Sequence, residues 1–530
     1  MKLQPYTNCP KRSLNQTIAM ATLAWALCTP LCTPLTSASA QAVWPAFLGQ
    51  GSSESLEAEK LPLNWSPGKN VRWKQSIVGK GQSSPVVWGD TAYVTSIQGD
   101  MKETCVVMAI ALADGQVKWT REIESATPVR SNYFQSRSAP TPVVDQNHVV
   151  AFFETGNLVG IDRHSGEPLW ERSLADETGV FQSDIGLASS LAQHGPNAFV
   201  LIDHEGDSYL MAVNKATGET AWKTERFSRK SYASPTILQI GGKAQIVCSS
   251  DGSVDGYSPE TGEQLWTFED IGANTSNTPP AMLENMVLVG ASNGMQDARA
   301  VEARESNLCL RIDGDGSQFQ PEVAWKTTKA TTTFASPIAH QGLAYWITTA
   351  GVLYCFDLES GDLVYRKRAG EQCWVTPVGI GDRIYLFGKG GETTVIAAGP
   401  EFNVLAENEL WDIDSIPATS SGQFAGPRSG KGGRPGSGQG GGSRPTESTS
   451  AEAASTEDAE GEQKSENSEA RKPMSDDAIE AARQRGENQF ADPVQYGVAF
   501  THDAILIRTG SELHCIATGE ESPTNEEASP

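Results

Sequence analysis

One pattern recurs along the chain at intervals of about 40 to 60 residues and constrains the fold more than any other feature. It reads small-x-x-x-x-[Ser/Thr]-Gly-x-x-x-aromatic, and its four clearest copies occupy residues 160–170, 212–222, 256–266 and 355–365. Looser copies end at Trp119 and Trp325. A repeat of this length, with a glycine turn and an aromatic residue at a fixed offset, is typical of the blades of a β-propeller.

Each copy predicts a unit of four strands. Most units open with a Ser-Pro or Thr-Pro pair, at residues 84–85, 141–142, 234–235, 278–279, 336–337 and 376–377. A glycine turn followed by alternating apolar residues, as at 89–94 and 381–386, is typical of the next strand. We therefore expect an innermost strand, two further strands, a Ser/Thr-Gly turn and an outer strand that carries the aromatic residue.

The outer-strand positions indicate how many blades there are and how the ring closes. They are Trp73, Trp119, Trp170, Trp222, Trp266, Trp325, Tyr365 and a degenerate position near Leu410. Trp73 has no repeat before it, and the last copy, near 496–516, has no outer strand after it. A strand at 71–74 that completes the last blade would remove both free edges. The prediction is an all-β, eight-bladed β-propeller of four-stranded antiparallel blades, with the N-terminal strand closing the last blade.

We expect the tryptophans and glycines of the repeat to specify packing and not chemistry. An outer-strand indole can stack on the peptide plane of a neighbouring Ser/Thr-Gly turn, where a Cβ would obstruct the approach. The docking residues predicted in this way are Trp73, Trp119, Trp170, Trp222, Trp266, Trp325, Gly166, Gly218, Gly262 and Gly361.

The segments outside the repeats differ in composition and divide the chain. Residues 1–42 combine early positive charges, an apolar stretch and small residues before a cleavage site, which predicts a signal peptide and export to the periplasm or the cell exterior. Residues 418–492 are Gly/Ser-rich and then acidic, which predicts a disordered insertion, and 521–530 predict a disordered tail. The propeller then comprises 43–417, with blades one to seven and the closing strand, and 493–520, the last blade.

Charge, apolar content and cysteine usage narrow the range of partners. The 41 Lys and Arg residues against 65 Asp and Glu residues give a net charge of −24, which argues against nucleic-acid binding. No later apolar stretch has membrane-spanning length, so no integral membrane span is expected after signal cleavage. Six cysteines lie beyond the signal segment, too far apart for a metal knuckle, and we expect most of them to be buried small apolar residues.

The turns and tryptophans of residues 44–410 and 496–517 resemble the tryptophan-docking repeat of the pyrroloquinoline quinone (PQQ)-like β-propellers. The stretches 44–49, 61–65, 71–74 and 79–87 are similar to exported PQQ-like repeat proteins common in planctomycete-type bacteria. This family includes quinoprotein alcohol and sugar dehydrogenases, and also BamB-type outer-membrane assembly propellers that bind no quinone and act as scaffolds. The resemblance therefore implies the fold and leaves two functions open.

Aromatic and basic residues before the innermost strands form the candidate ligand site. Tyr232, Phe334 and Trp374 each lie three residues before the proline of a unit, and Tyr133, Arg137 and Lys230 lie in comparable inter-blade loops. Repeat geometry places them around one mouth of the central channel, where rings can stack a flat ligand or a peptide and cations can meet carboxylates. The alternative is that these aromatic residues only cap the core.

Two further clusters of acidic residues are better explained as structural turns than as metal or catalytic sites. Asp313 begins a D-x-D-x-S calcium-loop pattern, but Ala324 stands where the loop needs an acid, so a hairpin turn is favoured. The run 203–207 places carboxylates beside His204, where a metal or acid–base role competes with the favoured exposed turn. No metal ligands and no catalytic residues are predicted.

The function favoured by the sequence is a non-catalytic binding or scaffolding module for a protein, a peptide or a glycan. The alternative is a divergent quinoprotein dehydrogenase that uses PQQ and Ca²⁺ to oxidise an alcohol or a sugar. The resemblance implies an adjacent-cysteine disulfide and a calcium site in alcohol-type dehydrogenases, and this chain has no adjacent cysteine pair. The oligomeric state is left open.

Overall fold

The computed structural model describes residues 42–129, 137–183, 186–229, 231–272, 285–291, 300–314, 316, 318–332, 334–348, 350–412 and 492–518. The predicted cleavable segment up to residue 41, the insertion up to residue 491 and the tail lie outside these residues and stay predictions.

Antiparallel sheets form eight blades in a ring, which confirms the predicted fold class. Two strands precede the first blade, β1 (Val43–Trp44) and β2 (Val71–Ser76). Blades one and two comprise β3 (Val86–Trp88), β4 (Thr91–Gln98), β5 (Thr104–Ala111), β6 (Val117–Glu124), β7 (Val143–Val144), β8 (His148–Phe152), β9 (Asn157–Asp162) and β10 (Pro168–Ser173). Blades three and four comprise β11 (Ala192–His194), β12 (Asn197–Ile202), β13 (Ser208–Asn214), β14 (Thr220–Arg226), β15 (Thr236–Ile240), β16 (Lys243–Ser250), β17 (Ser253–Tyr257) and β18 (Gln264–Phe268).

The second half of the ring repeats this order. Within the described residues, blade five comprises β19 (Met286–Val289), β20 (Leu308–Gly314) and β21 (Phe319–Lys326). Blades six and seven comprise β22 (Ile338–His340), β23 (Leu343–Ile347), β24 (Val352–Asp357), β25 (Leu363–Arg368), β26 (Val378–Ile380), β27 (Arg383–Phe387), β28 (Glu392–Ala397) and β29 (Val404–Glu409). Blade eight comprises β30 (Gly497–Phe500), β31 (Ala504–Arg508), β32 (Glu512–Ala517) and β2. Short helices are α1 (Leu174–Thr178), α2 (Ala300–Glu305) and two 3₁₀ segments, Phe47–Ser55 and Ala58–Lys60.

The N-terminal strand closes the ring as the sequence predicts. β2 pairs antiparallel with β32, with Val71 opposite Ile516 and Trp73 opposite Cys515. The last blade therefore combines both ends of the propeller sequence, so that unfolding of one terminal strand opens the ring.

Each outer-strand aromatic residue lies opposite a small residue of the third strand, and a bulge follows the pair. The pairs are Ala109–Trp119, Gly160–Trp170, Ala212–Trp222, Gly256–Trp266, Cys309–Trp325, Cys355–Tyr365 and Cys515–Trp73. In blade seven the equivalent pair is Val395–Ala406, so placing the degenerate position near Leu410 was wrong. Leu410 follows the outer strand and is buried there.

The indoles dock on the turn of the following blade. Trp119 Nε1 donates to Arg163 O at 3.1 Å, and a Cβ on Gly166 would lie 2.6 Å from the indole Cδ2. Equivalent bonds run from Trp73 to Leu112 O, Trp170 to Lys215 O, Trp222 to Pro259 O and Trp325 to Leu358 O. Trp266 differs, because its Nε1 donates to Gln245 Oε1 at 2.7 Å within its own blade. The glycine of the turn is required both for φ near +74° and for the close approach of the ring.

The Ser/Thr residues that open the units link the blades around the channel. The backbone N–H of Ser84 donates to Thr141 Oγ1 at 2.9 Å, that of Thr141 to Ser190 Oγ at 3.1 Å, and that of Ser190 to Ser234 Oγ at 2.9 Å. The backbone N–H of Ser336 likewise donates to Thr376 Oγ1 at 3.0 Å. The hydroxyl thus satisfies a backbone donor of the preceding blade at the point where the innermost strands begin.

Apolar side chains from facing blades form the core. All six described cysteines are buried free thiols, which confirms the expectation that they act as small apolar residues. Cys309, Cys355 and Cys515 occupy the position opposite the outer-strand aromatic residue, where only a small side chain leaves room for the ring.

Residues 42–60, which we call the strap, lie at the channel end where the innermost strands finish. β1 pairs with β3, and Pro45 O accepts hydrogen bonds from Val144 N at 2.9 Å and Gln193 Nε2 at 3.0 Å. Farther along, Ala58 O accepts from Arg383 Nη1. The strap therefore contacts blades one, two, three and seven at this end, a feature that the repeat pattern did not indicate.

Candidate functional site

The channel end opposite the strap carries the candidate site. Phe334, Trp374 and Tyr496 precede the innermost strands of blades six, seven and eight. The ring centroids of Phe334 and Trp374 lie 4.8 Å apart, and those of Trp374 and Tyr496 lie 6.2 Å apart. We call this row, together with Arg137, Gln82 and Lys389, the mouth arc. Phe334 is 45% exposed, so the arc presents one open ring to solvent.

Blades one and two continue the arc with polar groups. Arg137 Nη2 donates to the Tyr496 hydroxyl at 3.3 Å. Arg137 N donates to Gln82 Oε1, and Gln82 N donates to Arg137 O, both at 3.0 Å. Five consecutive blades in the ring, from blade six to blade two, therefore contribute side chains to one contiguous row. Burial raises the pKa of the Tyr496 phenol, so this hydroxyl stays neutral at physiological pH.

Lys389 lies on the turn between β27 and β28, over Trp374. Its Nζ is 4.5 Å from the centroid of the indole, within the range of a cation–π contact. Glu371 lies beside it, and its Oε1 accepts the N–H groups of Gly390 at 2.8 Å and Glu392 at 3.2 Å. Burial raises the pKa of Glu371 to about 7 and lowers the pKa of Lys389 to about 8. Both groups therefore titrate near neutral pH.

Arg508 is fully buried directly behind Tyr496, whose backbone N–H donates to Arg508 O at 2.9 Å. Its Nη1 donates to Ser83 Oγ at 2.6 Å. Within the described residues, neither its Nε nor its Nη2 has a hydrogen-bond acceptor. Burial lowers the pKa of this guanidinium to about 9, so it remains charged at neutral pH.

The structure brings together three of the six residues that the sequence singled out for this mouth. Phe334, Trp374 and Arg137 belong to the arc, whereas Tyr232 lies before β15 in blade four. Tyr133 and Lys230 lie outside the described residues and stay predictions. Sequence reasoning missed Tyr496 and Lys389. The position of Tyr496, directly before the first strand of the last repeat, was the available signal. The turn of Lys389 recurs in blade two, where Gly156 N donates to Phe153 O as Gly391 N donates to Gly388 O, but Glu154 occupies the position of Lys389, so the repeat did not indicate a cation there.

The run 203–207 is a structural turn, as expected; Glu205 and Asp207 are exposed at its tip, whereas Asp203 and His204 are buried. His204 Nδ1 accepts the N–H of Gln182 at 2.9 Å, which leaves Nε2 to donate to Asp207 O at 3.1 Å. Asp203 pairs with Arg226 at 2.9 Å. Both ring nitrogens and the carboxylate are therefore occupied. Gly314 pairs with Phe319 across β20 and β21, which confirms the predicted hairpin.

The side chains of the mouth arc do not fit a PQQ and Ca²⁺ site. Trp374 is only 8% exposed beneath Phe334 and Lys389, so it offers no open floor for a planar quinone. Calcium requires six to eight oxygen ligands, whereas Glu371 Oε1 already accepts two backbone N–H groups. Within the described ranges, no group of three or more His, Cys, Asp and Glu side chains is arranged to hold a metal ion. Among the same residues, no helix is long and apolar enough to cross a bilayer.

Comparison with known proteins finds similar propellers. A family model described as outer membrane protein assembly factor BamB matches residues 63–184 and 180–309. The BamB proteins of Burkholderia pseudomallei and Pseudomonas aeruginosa are 25% and 27% identical over 254 and 209 residues, which are 47% and 38% of this chain. These matches span 60% and 50% of the two relatives, so the chain covers little more than half of their length.

Two solved structures are similar at lower sequence identity. BamB from Moraxella catarrhalis has a TM-score of 0.49 at 10% identity, covering 84% of this chain and 98% of that one. Quinohemoprotein alcohol dehydrogenase from Comamonas testosteroni has a TM-score of 0.38 at 11% identity, covering 67% of this chain and 76% of that one.

The ring of antiparallel blades, closed by an N-terminal strand and joined by docked tryptophans, makes this protein an eight-bladed β-propeller. The family-model match and the BamB relatives show that it is similar to the PQQ-like, BamB-like repeat propellers.

Proposed function

We propose that this chain is an exported, non-catalytic binding module that holds a segment of a partner protein at the mouth arc. The continuity of the arc carries the proposal, because side chains from five blades form one contiguous row around the half-exposed ring of Phe334. Trp, Tyr and Arg are enriched in protein-binding hot spots, and the arc combines Trp374, Tyr496 and Arg137 with one open ring, that of Phe334. The relatives' name, outer membrane protein assembly factor, also supports a protein ligand.

The alternative of a quinoprotein dehydrogenase needs a base and a polarising cation beside an open ring. In the mouth arc, Trp374 is covered and Glu371 is held by backbone N–H groups. The chemistry available to the arc is therefore packing, cation–π contact and ion pairing, which suit binding.

Photo-crosslinking tests this function. Benzoylphenylalanine replaces Phe334 in the full chain, expressed in the cell that exports it, and adducts are detected after irradiation. The matched control carries the same group in place of Phe227, which is 81% exposed at the end of β14 and outside the arc. We expect a discrete protein adduct at position 334 and none at 227. Equal adducts at both positions, or none at 334, would overturn the proposal.

A further inference from the structure

The charges around the mouth arc oppose the charge of the protein as a whole. The chain carries a net charge of −24, yet the charged side chains of the arc are Arg137 and Lys389, with Arg508 directly behind them. Cations at the mouth favour acidic ligands, which the net charge of the whole protein does not.

Two described carboxylates lie near these cations and offset part of their charge, Glu371 near Lys389 and Asp492 near Arg508, but neither makes a side-chain hydrogen bond to Arg137 or Lys389. Glu371 Oε1 accepts two backbone N–H groups, and Asp492 Oδ1 accepts the N–H of Gly510 at 3.0 Å. These carboxylates therefore stabilise turns, and the cations of the arc keep donors for another partner.

The guanidinium of Arg137 has incomplete hydrogen bonding, which an acidic ligand could complete. Its Nη2 makes only a long bond of 3.3 Å to the Tyr496 hydroxyl. Its Nε is buried and has no acceptor within the described residues. A buried charged donor without an acceptor is unfavourable, and a carboxylate that approaches the Nη groups would add a charge-assisted hydrogen bond to this guanidinium. Arg508 is too deeply buried to touch a ligand, and it contributes only through its positive field.

The ring beside these cations adds an apolar contact. Phe334 is 45% exposed and packs on Trp374, which in turn contacts Lys389 and Tyr496. Lys389 is only 6% exposed, and a ligand that pairs with its ammonium group meets the ring pair of Trp374 and Phe334 next to it. An aromatic or large apolar side chain next to the carboxylates would cover the open ring of Phe334.

We propose that the mouth arc binds acidic protein segments in which carboxylates flank an aromatic or large apolar side chain. This inference rests on the proposed binding function and names the chemistry of its partner. Arg137 and Lys389 pair with the carboxylates, and the ring of Phe334 packs against the apolar side chain.

Fluorescence anisotropy with labelled peptides and the full chain tests the inference. The probe is acetyl-Glu-Asp-Trp-Glu-Asp-amide. Comparison peptides replace the acids with Lys and Arg, or the Trp with Ala. We expect the acidic Trp peptide to bind at least about tenfold more tightly than the basic one, and about threefold more tightly than the Ala peptide. Equal binding of acidic and basic peptides would overturn the proposal.

Protein variants locate the contact. We expect Lys389→Met and Arg137→Gln each to weaken binding of the acidic peptide about threefold to tenfold. The matched control is Lys223→Met, because the Lys223 Nζ also lies over an aromatic ring, 4.1 Å from the centroid of Tyr209, but on the outer strand β14. It should bind as the unmodified protein does. Equal weakening by all three variants would place the binding elsewhere and contradict the inference.

The crosslinking experiment separates the two failures. A protein adduct at position 334 without acidic-peptide binding would overturn the charge class and leave the binding function in place. Loss of both signals would overturn both proposals.

Discussion

Replacing Gly218 with alanine should loosen the docking of one blade on the next. Gly218 has φ of +75°, and a Cβ there would lie 2.5 Å from Cδ2 of Trp170. The Trp170 Nε1 donates to Lys215 O at 2.9 Å. The methyl group must displace the indole, which adds about 1–3 kcal/mol of overpacking to a backbone cost of about 1 kcal/mol.

Gly242→Ala is the matched control, since Gly242 has φ of +73° and no atom within 4 Å of its ideal Cβ position. It carries the backbone cost without the clash. The two variants should therefore differ by about 1–3 kcal/mol, which is about fivefold to 150-fold in local opening. Amide hydrogen exchange measures this difference, followed at β10 and residues 215–218 for Gly218→Ala and at β15 and β16 for Gly242→Ala. Equal exchange in both variants would refute the docking argument.

Three other perturbations test separate parts of the structure. Lys102→Met should lower the free energy of unfolding in urea by about 3–5 kcal/mol, more than the double variant with Glu154→Leu does. The two side chains pair at 3.1 Å and are each only 1% exposed, so the single variant leaves a buried carboxylate without its cation. Trp44→Ala should cost about 3–5 kcal/mol, seen as faster limited proteolysis of the strap, because Trp44 is buried 5.5 Å from Phe500. Burial raises the folded-state pKa of Glu371 to about 7, so the stability due to its protonated form is full below about pH 4 and is lost as pH rises through 7. Glu371→Gln should reduce the change of the thermal midpoint with pH across that window. An unchanged pH dependence would contradict the raised pKa of Glu371.

The repeat made the fold predictable because one packing rule recurs in most blades. The small residue and the aromatic residue lie at fixed offsets, and the structure places them opposite each other, as at Gly160 and Trp170. Closure by the strand around Trp73 followed from counting these positions. The outer strand of blade seven was misplaced because that blade lacks the aromatic residue. Ala406 occupies its position, and an alanine does not identify an outer strand in the sequence.

The repeat pattern could not predict the strap or half of the mouth arc, because both depend on contacts between distant segments of the chain. Pro45 bonds to Val144 and Gln193, about 100 and 150 residues away along the chain. Tyr496 and Arg137 meet only because the ring closes. The burial of His204 likewise depends on the neighbouring Asp203–Arg226 pair, which alternation within one unit does not reveal.

The measurement that tests the central claim most directly is a titration of the purified protein with PQQ, with and without Ca²⁺, followed by quinone absorbance, thermal midpoint and dye reduction with alcohols and sugars. A non-catalytic binding module predicts no saturable PQQ binding, no shift in midpoint and no reduction of the dye. Saturable, Ca²⁺-dependent binding with a raised midpoint and substrate-dependent dye reduction would contradict it.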